Sequence, residues 1–271
     1  MYKLIGIDMD GTLLNSKHTL SEENKSAIEK AREVGLSVVI TTGRPLSGVE
    51  TVLESLEMNR EDDYIILYNG ALILRASDRK ILSESRISLD EVKKLEDYAA
   101  IVGVQMHIVT ENACISACEN KYGRYEAELN GMNFRVQNYN ELPKTTKIYK
   151  VMFSEESEVL KERMSDVTNP LISSYETSMS APFYVDFLKK GVNKGHGIKW
   201  LSQHIDVKQS QVICIGDAGN DLSMIRYASL GVAMGNASLE LRKHADYITL
   251  SNDENGVAHV IQRFALGSEA M

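Results

Sequence analysis

The chain has 271 residues, of which 43% are hydrophobic and 25% charged, and its formal net charge is -8. That length supports a substantial core in one large domain or two modest ones, and the acidic balance opposes broad attraction to nucleic acid or anionic membranes while leaving room for a local basic pocket. No apolar stretch approaches the roughly 20 residues that span a bilayer, and Asp8 arrives too early for a secretory leader, so the expectation is a cytoplasmic protein with neither nucleic acid nor membrane as partner.

In chain order, apolar strand 3–8 comes first, then a helix over about 21–34, strand 36–41, a helix over about 45–57 and strand 64–68. Ser21 before Glu22 and Glu23 supplies an N-cap and an acidic first turn, and Gly35 is a natural stop before Leu36. Strands alternating with helices predict a parallel sheet. After about residue 82 the pattern changes. Leu89, Val92, Leu95, Ala99 and Val102 mark an amphipathic helix, followed by strand-like runs at 104–109 and 114–118. A further helix precedes a strand near 147–153, and then come a helix near 156–165 and strands near 171–177 and 183–188. One helix followed by two strands recurs faintly. From Gly191 the first pattern returns, with a helix over about 194–204, the strand Gln211 to Ile215 and a helix after Asp221. The expected organisation is a discontinuous core, residues 1–82 and 191–271, with an α+β insert at 83–190.

Three apolar runs end in polar residues. The first ends in Asp8 and Asp10, and side chains two apart on an extended chain point the same way, so the two carboxylates converge if Met9 stays extended. Adjacent anions call for a cation, and oxygen ligands suit a hard one such as Mg²⁺; read alone, Asp-x-Asp equally begins a turn. The second run ends in Thr42-Gly43, where a hydroxyl and a backbone N–H at a helix start fit a phosphate, or simply form a Ser/Thr turn. The third ends in Gly216-Asp217-Ala218-Gly219-Asn220-Asp221, which either completes a metal shell or begins a helix with acidic residues on its dipole. Lys194 can reach a phosphate and Asp8, or sit solvated at a helix start. Cys114, Cys118 and Cys214 are too scattered for a disulfide framework; Cys114 and Cys118 can share one strand face as packing residues.

Taken in order, Ile7-Asp8-Met9-Asp10-Gly11-Thr12-Leu13-Leu14, Thr42-Gly43-Arg44-Pro45, Tyr68-Asn69-Gly70-Ala71, Val192-Asn193-Lys194-Gly195, Gly216 to Asp221 and Gly231-Val232-Ala233-Met234-Gly235-Asn236-Ala237 resemble the haloacid dehalogenase superfamily. More narrowly they look like its Cof-type phosphatases and the YidA sugar phosphatases among them. The resemblance implies an α/β fold with a Rossmann-like parallel-sheet core and an inserted α+β cap of the C2 type. It also implies an Mg²⁺-dependent phosphatase for small phosphorylated metabolites, sugar phosphates foremost. Asp8 would be the nucleophile and Asp10 the acid and then the base. Mg²⁺ would be held by Asp8, the Asp10 main-chain carbonyl and Asp217, with Asp221 a direct ligand or one acting through water. Thr42, Lys194, Asn220 and the backbone N–H groups of Met9 and Gly43 would hold the phosphoryl oxygens. Arg44 would reach the cap or substrate, or form a structural ion pair. A phosphomutase of the same superfamily shares the aspartyl-phosphate step. A phospho-acceptor domain or a sugar-phosphate-binding regulator is the non-enzymatic alternative.

Overall fold

A computed structural model of the chain describes residues 1–164 and 169–267. Its strands, in chain order, are β1 (Leu4–Asp8), β2 (Ser37–Thr41), β3 (Tyr64–Leu67), β4 (Leu72–Arg75), β5 (Ile81–Glu84), β6 (Gln105–Thr110), β7 (Ala113–Ser116), β8 (Asn133–Val136), β9 (Ile148–Ser154), β10 (Tyr175–Ala181), β11 (Tyr184–Lys189), β12 (Val212–Gly216), β13 (Leu230–Ala233) and β14 (Tyr247–Ile248). Two compact units result. Unit 1 takes Met1–Gly43, Glu50–Ser83 and the chain from Asn193 on; unit 2 takes Arg44–Val49 and Glu84–Val192. The segment 44–49, read from the sequence as part of the first domain, thus groups with unit 2.

All five residues of β1 are buried, as a strand covered on both faces requires. β1 pairs in parallel with β2 on one side and with β12 on the other, and the whole sheet runs β14-β13-β12-β1-β2-β3-β4-β5. Strand order therefore reverses beside β1, and ligands of open α/β sheets bind outside the carboxyl ends at such a point. Helix Glu22–Glu33 joins β1 to β2; Ser21 accepts from the Asn24 N–H, and the acidic first turn and basic last turn both suit the macrodipole. The buried Arg32 near its end donates to the Leu56 and Glu57 carbonyls and pairs with Asp63 at 2.7 Å.

The sheet is not wholly parallel. β3 and β4 are antiparallel because only Tyr68–Ala71 separates them, too short for the crossover that parallel neighbours need. The helix expected over 45–57 is a 3-10 turn at Leu46–Gly48 followed by a helix at Glu50–Ser55.

Unit 2 holds a six-stranded sheet in the order β10-β11-β9-β6-β7-β8. Helix Leu89–Val102 opens with a capping box between Ser88 and Glu91, and its Val92, Leu95, Tyr98 and Ala99 pack on one face of the sheet with Ile108, Val151, Phe153 and Phe187. Strand alternation carries His107, Lys150 and Asp186 to the opposite face. The strand expected near 171–177 begins later: Asn169 caps a short helix at Pro170–Ser173, where proline suits the first turn, and β10 starts at Tyr175. The helix expected over 156–165 is described over Ser157–Arg163, and residue 165 lies outside the described residues. Cys114 is buried in β7, whereas Cys118 lies past the strand's end and is exposed.

Candidate active site

The chemistry of unit 1 gathers at the carboxyl ends of β1 and β12. Asp8 is the last residue of β1, and Asp217 directly follows β12. Lys194 opens helix Lys194–His204, whose N-cap Asn193 accepts from the His196 N–H. Asp221 closes the turn Gly219–Asp221 and leads into helix Leu222–Tyr227.

The completely buried Lys194 ammonium donates to Asp8 and, at 2.6 Å, to Asp221 Oδ1. Asp221 Oδ2 in turn accepts from the backbone N–H groups of Asp217 and Ala218, each at 2.9 Å. Thr12 Oγ1 donates to Asp217 Oδ1 at 2.9 Å. One oxygen each of Asp8, Asp217 and Asp221 lies within 4.8 Å of the others. Gly11 makes this approach possible: it sits at φ +78, and a Cβ there would come within 2.5 Å of Asp217 Oδ2.

Three carboxylates face one ammonium, and the proton affinities record the imbalance. Burial pushes the Asp8 carboxyl well above its ordinary range; Asp221 adds to the effect and Lys194 opposes it. Burial, then the neighbouring Asp221, raises Asp217 to about 6. Burial works against the charge on Lys194, but Asp221 and Asp8 outweigh it and hold the ammonium above its usual range. A buried, all-oxygen group with excess negative charge is the donor set of a hard divalent cation. Asp8 and Asp217 fit as ligands. Asp221 already spends one oxygen on Lys194 and the other on two N–H groups, which suits an orienting role.

β1 ends at Asp8, and Met9, in the turn that follows, is completely buried. The Asp10 carboxylate is 40% exposed, 3.9 Å from His18 Nδ1, and outside the three-carboxylate group. Its candidacy as a metal ligand thus rests on its main chain. The Met9 carbonyl accepts from the Leu14 N–H, so that oxygen is engaged.

Thr42 is buried, and its backbone continues the ladder: its N–H donates to the Ile66 carbonyl and its C=O accepts from the Asn69 N–H. Gly43 lies against the Asn69 side chain, and Asn220 Nδ2 donates to Asn69 Oδ1 at 3.1 Å. Arg44, grouped with unit 2, donates to the Gly48 carbonyl at 3.2 Å. Sequence reasoning missed two participants, Thr12 and Asn69. Both lay within quoted motifs, and the signal for Thr12 was a polar side chain between a glycine and two leucines, now completely buried.

The chain belongs to the haloacid dehalogenase-like hydrolases, whose family model matches residues 5–261. Its similarities within that family are to Cof-type phosphatases. YxeH of Bacillus subtilis strain 168, which carries a phosphatase name, is 38% identical over 272 residues, spanning 98% of this chain and 99% of the relative. A haloacid dehalogenase-like hydrolase from Bacteroides thetaiotaomicron superposes with TM-score 0.84 at 32% identity, covering 97% of this chain and 99% of the other. A solved subclass IIB sugar phosphatase of the superfamily gives TM-score 0.82 at 27% identity, covering 97% and 99%. The protein is an enzyme of the phosphatase class, with the Rossmann-like core of that fold. Among the described residues, no helix is long and apolar enough to cross a membrane.

Proposed function

We propose that this enzyme is an Mg²⁺-dependent phosphatase of small phosphorylated metabolites, sugar phosphates foremost, working through an aspartyl-phosphate on Asp8. The observation that carries the reading is the Lys194 bridge between Asp8 and Asp221 beside Asp217 at the ends of the two central strands. The sugar preference draws on the subclass IIB sugar phosphatase.

An Asp8 carboxylate oxygen attacks phosphorus while the bond from phosphorus to the leaving oxygen breaks. Lys194 orients that carboxylate and opposes the burial that raises its proton affinity. Asp10 donates a proton to the departing alkoxide. It then takes a proton from the water that attacks the phosphoryl-aspartate, so one group serves both halves. Its partial exposure suits this exchange. Thr42, Asn220 and the N–H groups of Met9 and Gly43 hold the phosphoryl oxygens, where preorganised donors lower the barrier by several kcal/mol. Bound by Asp8, the Asp10 main chain and Asp217, with Asp221 orienting the shell, Mg²⁺ would supply the positive charge that lets an anionic nucleophile meet a phosphate dianion. Of the two segments of the chain, 1–82 with 191–271 carries the chemistry. The insert 83–190 is read as a C2-type cap that selects the leaving group.

The test is release of inorganic phosphate from a panel of sugar, nucleotide and cofactor phosphates, with and without Mg²⁺, beside Asp8→Ala. Multiple turnovers that vanish without Mg²⁺ and in the variant are expected. A single stoichiometric labelling without turnover would move the reading to a phospho-acceptor, and a need for an activating bisphosphate would move it to a mutase.

A further inference from the structure

The link between β3 and β4 is more contorted than a four-residue connection requires. Tyr68, Asn69 and Gly70 stand in succession at φ 49, 53 and 101, so two residues with side chains adopt a conformation that ordinarily favours glycine. Such a turn persists only where its surroundings hold it. Its surroundings come from three separate segments. The Asn69 N–H donates to the Thr42 carbonyl at 2.8 Å. A Cβ on Gly43 would lie 3.2 Å from both amide atoms of Asn69, so the Gly43 backbone rests on that side chain. Asn220 Nδ2 donates to Asn69 Oδ1. On the far side, a Cβ on Gly70 would meet the Asn193 carbonyl oxygen at 2.3 Å, one residue before Lys194.

The completely packed turn therefore touches three of the segments named for holding phosphate, 42–43, 193–194 and 219–221, leaving only the Met9 N–H apart. We infer that it is the template on which they are assembled, with Asn69 the positioning residue that sets Asn220 and Gly43 toward a phosphoryl group. An amide nitrogen has two N–H donors. Asn69 takes one from Asn220, which fixes the plane of that side chain and aims the second. Asparagine combines tolerance of this backbone with a short, neutral acceptor. Aspartate would set a carboxylate against the phosphate, and glycine would keep the backbone and lose the acceptor.

The inference rests on the phosphatase reading and is tested so that the two can fail separately. Asn69→Gly, Asn220→Ala and the double variant are compared by phosphate-release kinetics and by calorimetric binding of inorganic phosphate. Asn69→Gly is expected to lower kcat/KM about tenfold and to weaken phosphate binding by a similar factor. The double variant should be little worse than Asn220→Ala alone, since Asn69 acts through Asn220. Phosphate binding within twofold of the wild type, or a double variant whose loss is the product of the single losses, overturns the inference. Should Asn69→Gly fail to fold, Asn69→Asp replaces it in both backgrounds: a loss of phosphate binding that largely disappears once Asn220 is alanine supports the inference, and unchanged binding, or an equal loss with Asn220→Ala that charge repulsion alone explains, overturns it. A wild type that never releases phosphate sinks the phosphatase reading alone, and the positioning role is then judged on phosphate binding.

Discussion

Each unit buries a lysine between two carboxylates, yet the two clusters do different work. In unit 1, Lys194 joins Asp8 and Asp221. In unit 2, Lys150 lies 3.0 Å from Glu126 and 3.9 Å from Asp186. The second cluster sets one lysine against two carboxylates. Burial resists the charge on Glu126, but Lys150 outweighs it and holds the carboxyl below its ordinary value. Burial raises the Asp186 carboxyl above its ordinary value against the pull of the same lysine, and Ser180 donates to it at 3.0 Å. The first cluster differs in that Asp217 adds a third carboxylate to the same place. Position differs as well. Lys150 and Asp186 stand mid-strand in β9 and β11, whereas Asp8 and Asp217 stand where strands end. A buried lysine with acidic neighbours is therefore no signature of catalysis; uncompensated charge at strand ends is the distinguishing feature.

Lys194→Met puts the greatest strain on this contrast. It should cut turnover roughly a thousandfold, since Asp8 loses the cation that orients it and opposes its protonation. The residual activity should have its acid limb moved to higher pH, because burial and Asp221 then raise the Asp8 carboxyl unopposed. A pH profile of kcat/KM unchanged in shape would show that Lys194 does not govern Asp8.

Lys150→Met should read out in stability. Removing one partner of a buried ion pair costs about 3–5 kcal/mol. Denaturant unfolding of the variant measures it, and a loss below about 1 kcal/mol would show that the second cluster holds little of its unit together.

The smallest expected effect belongs to His107, completely buried in β6 with neither ring nitrogen hydrogen-bonded among the described residues. Burial lowers its imidazole to about 4; Glu126 opposes that shift and Lys150 adds to it. An unfolded imidazole titrates at about 6.5. Above that pH both states hold the ring neutral and its contribution is complete. Between about 6.5 and 4 only the unfolded chain takes the proton, so stability falls as pH falls, by up to about 3 kcal/mol, and levels off below. His107→Phe should flatten that part of the stability curve; an unchanged slope would assign it to the acidic groups instead.

What was legible in the sequence follows from which signals are local. β1 and the strand Val212–Gly216 carry their own evidence, being apolar on both faces and closed by polar residues. Asn193 and Lys194 announce a helix start found where expected. The antiparallel return of β4 was missed because its cause is the shortness of a connection, and short apolar runs look alike in either direction. Proline at 170 was the overlooked cue for the helix that replaced part of an expected strand. At the site, residue types and order were readable, but partnerships were not. Thr12 meets Asp217 across 205 positions and Asn69 meets Asn220 across 151, and no spacing rule reaches that far.

The pairing of β1 with β12 also has a meaning in time. A ribosome delivers Leu4 some two hundred residues before its neighbour Val212, and the whole of unit 2 in between. Until then the central strand of the first sheet has one open side, and Asp8 waits without the lysine that will neutralise it. Unit 2 can complete its own sheet meanwhile, since its six strands need nothing from the later chain. The order of synthesis thus lets unit 2 complete its sheet before Lys194 can reach Asp8, which waits for the final third of the polypeptide to emerge.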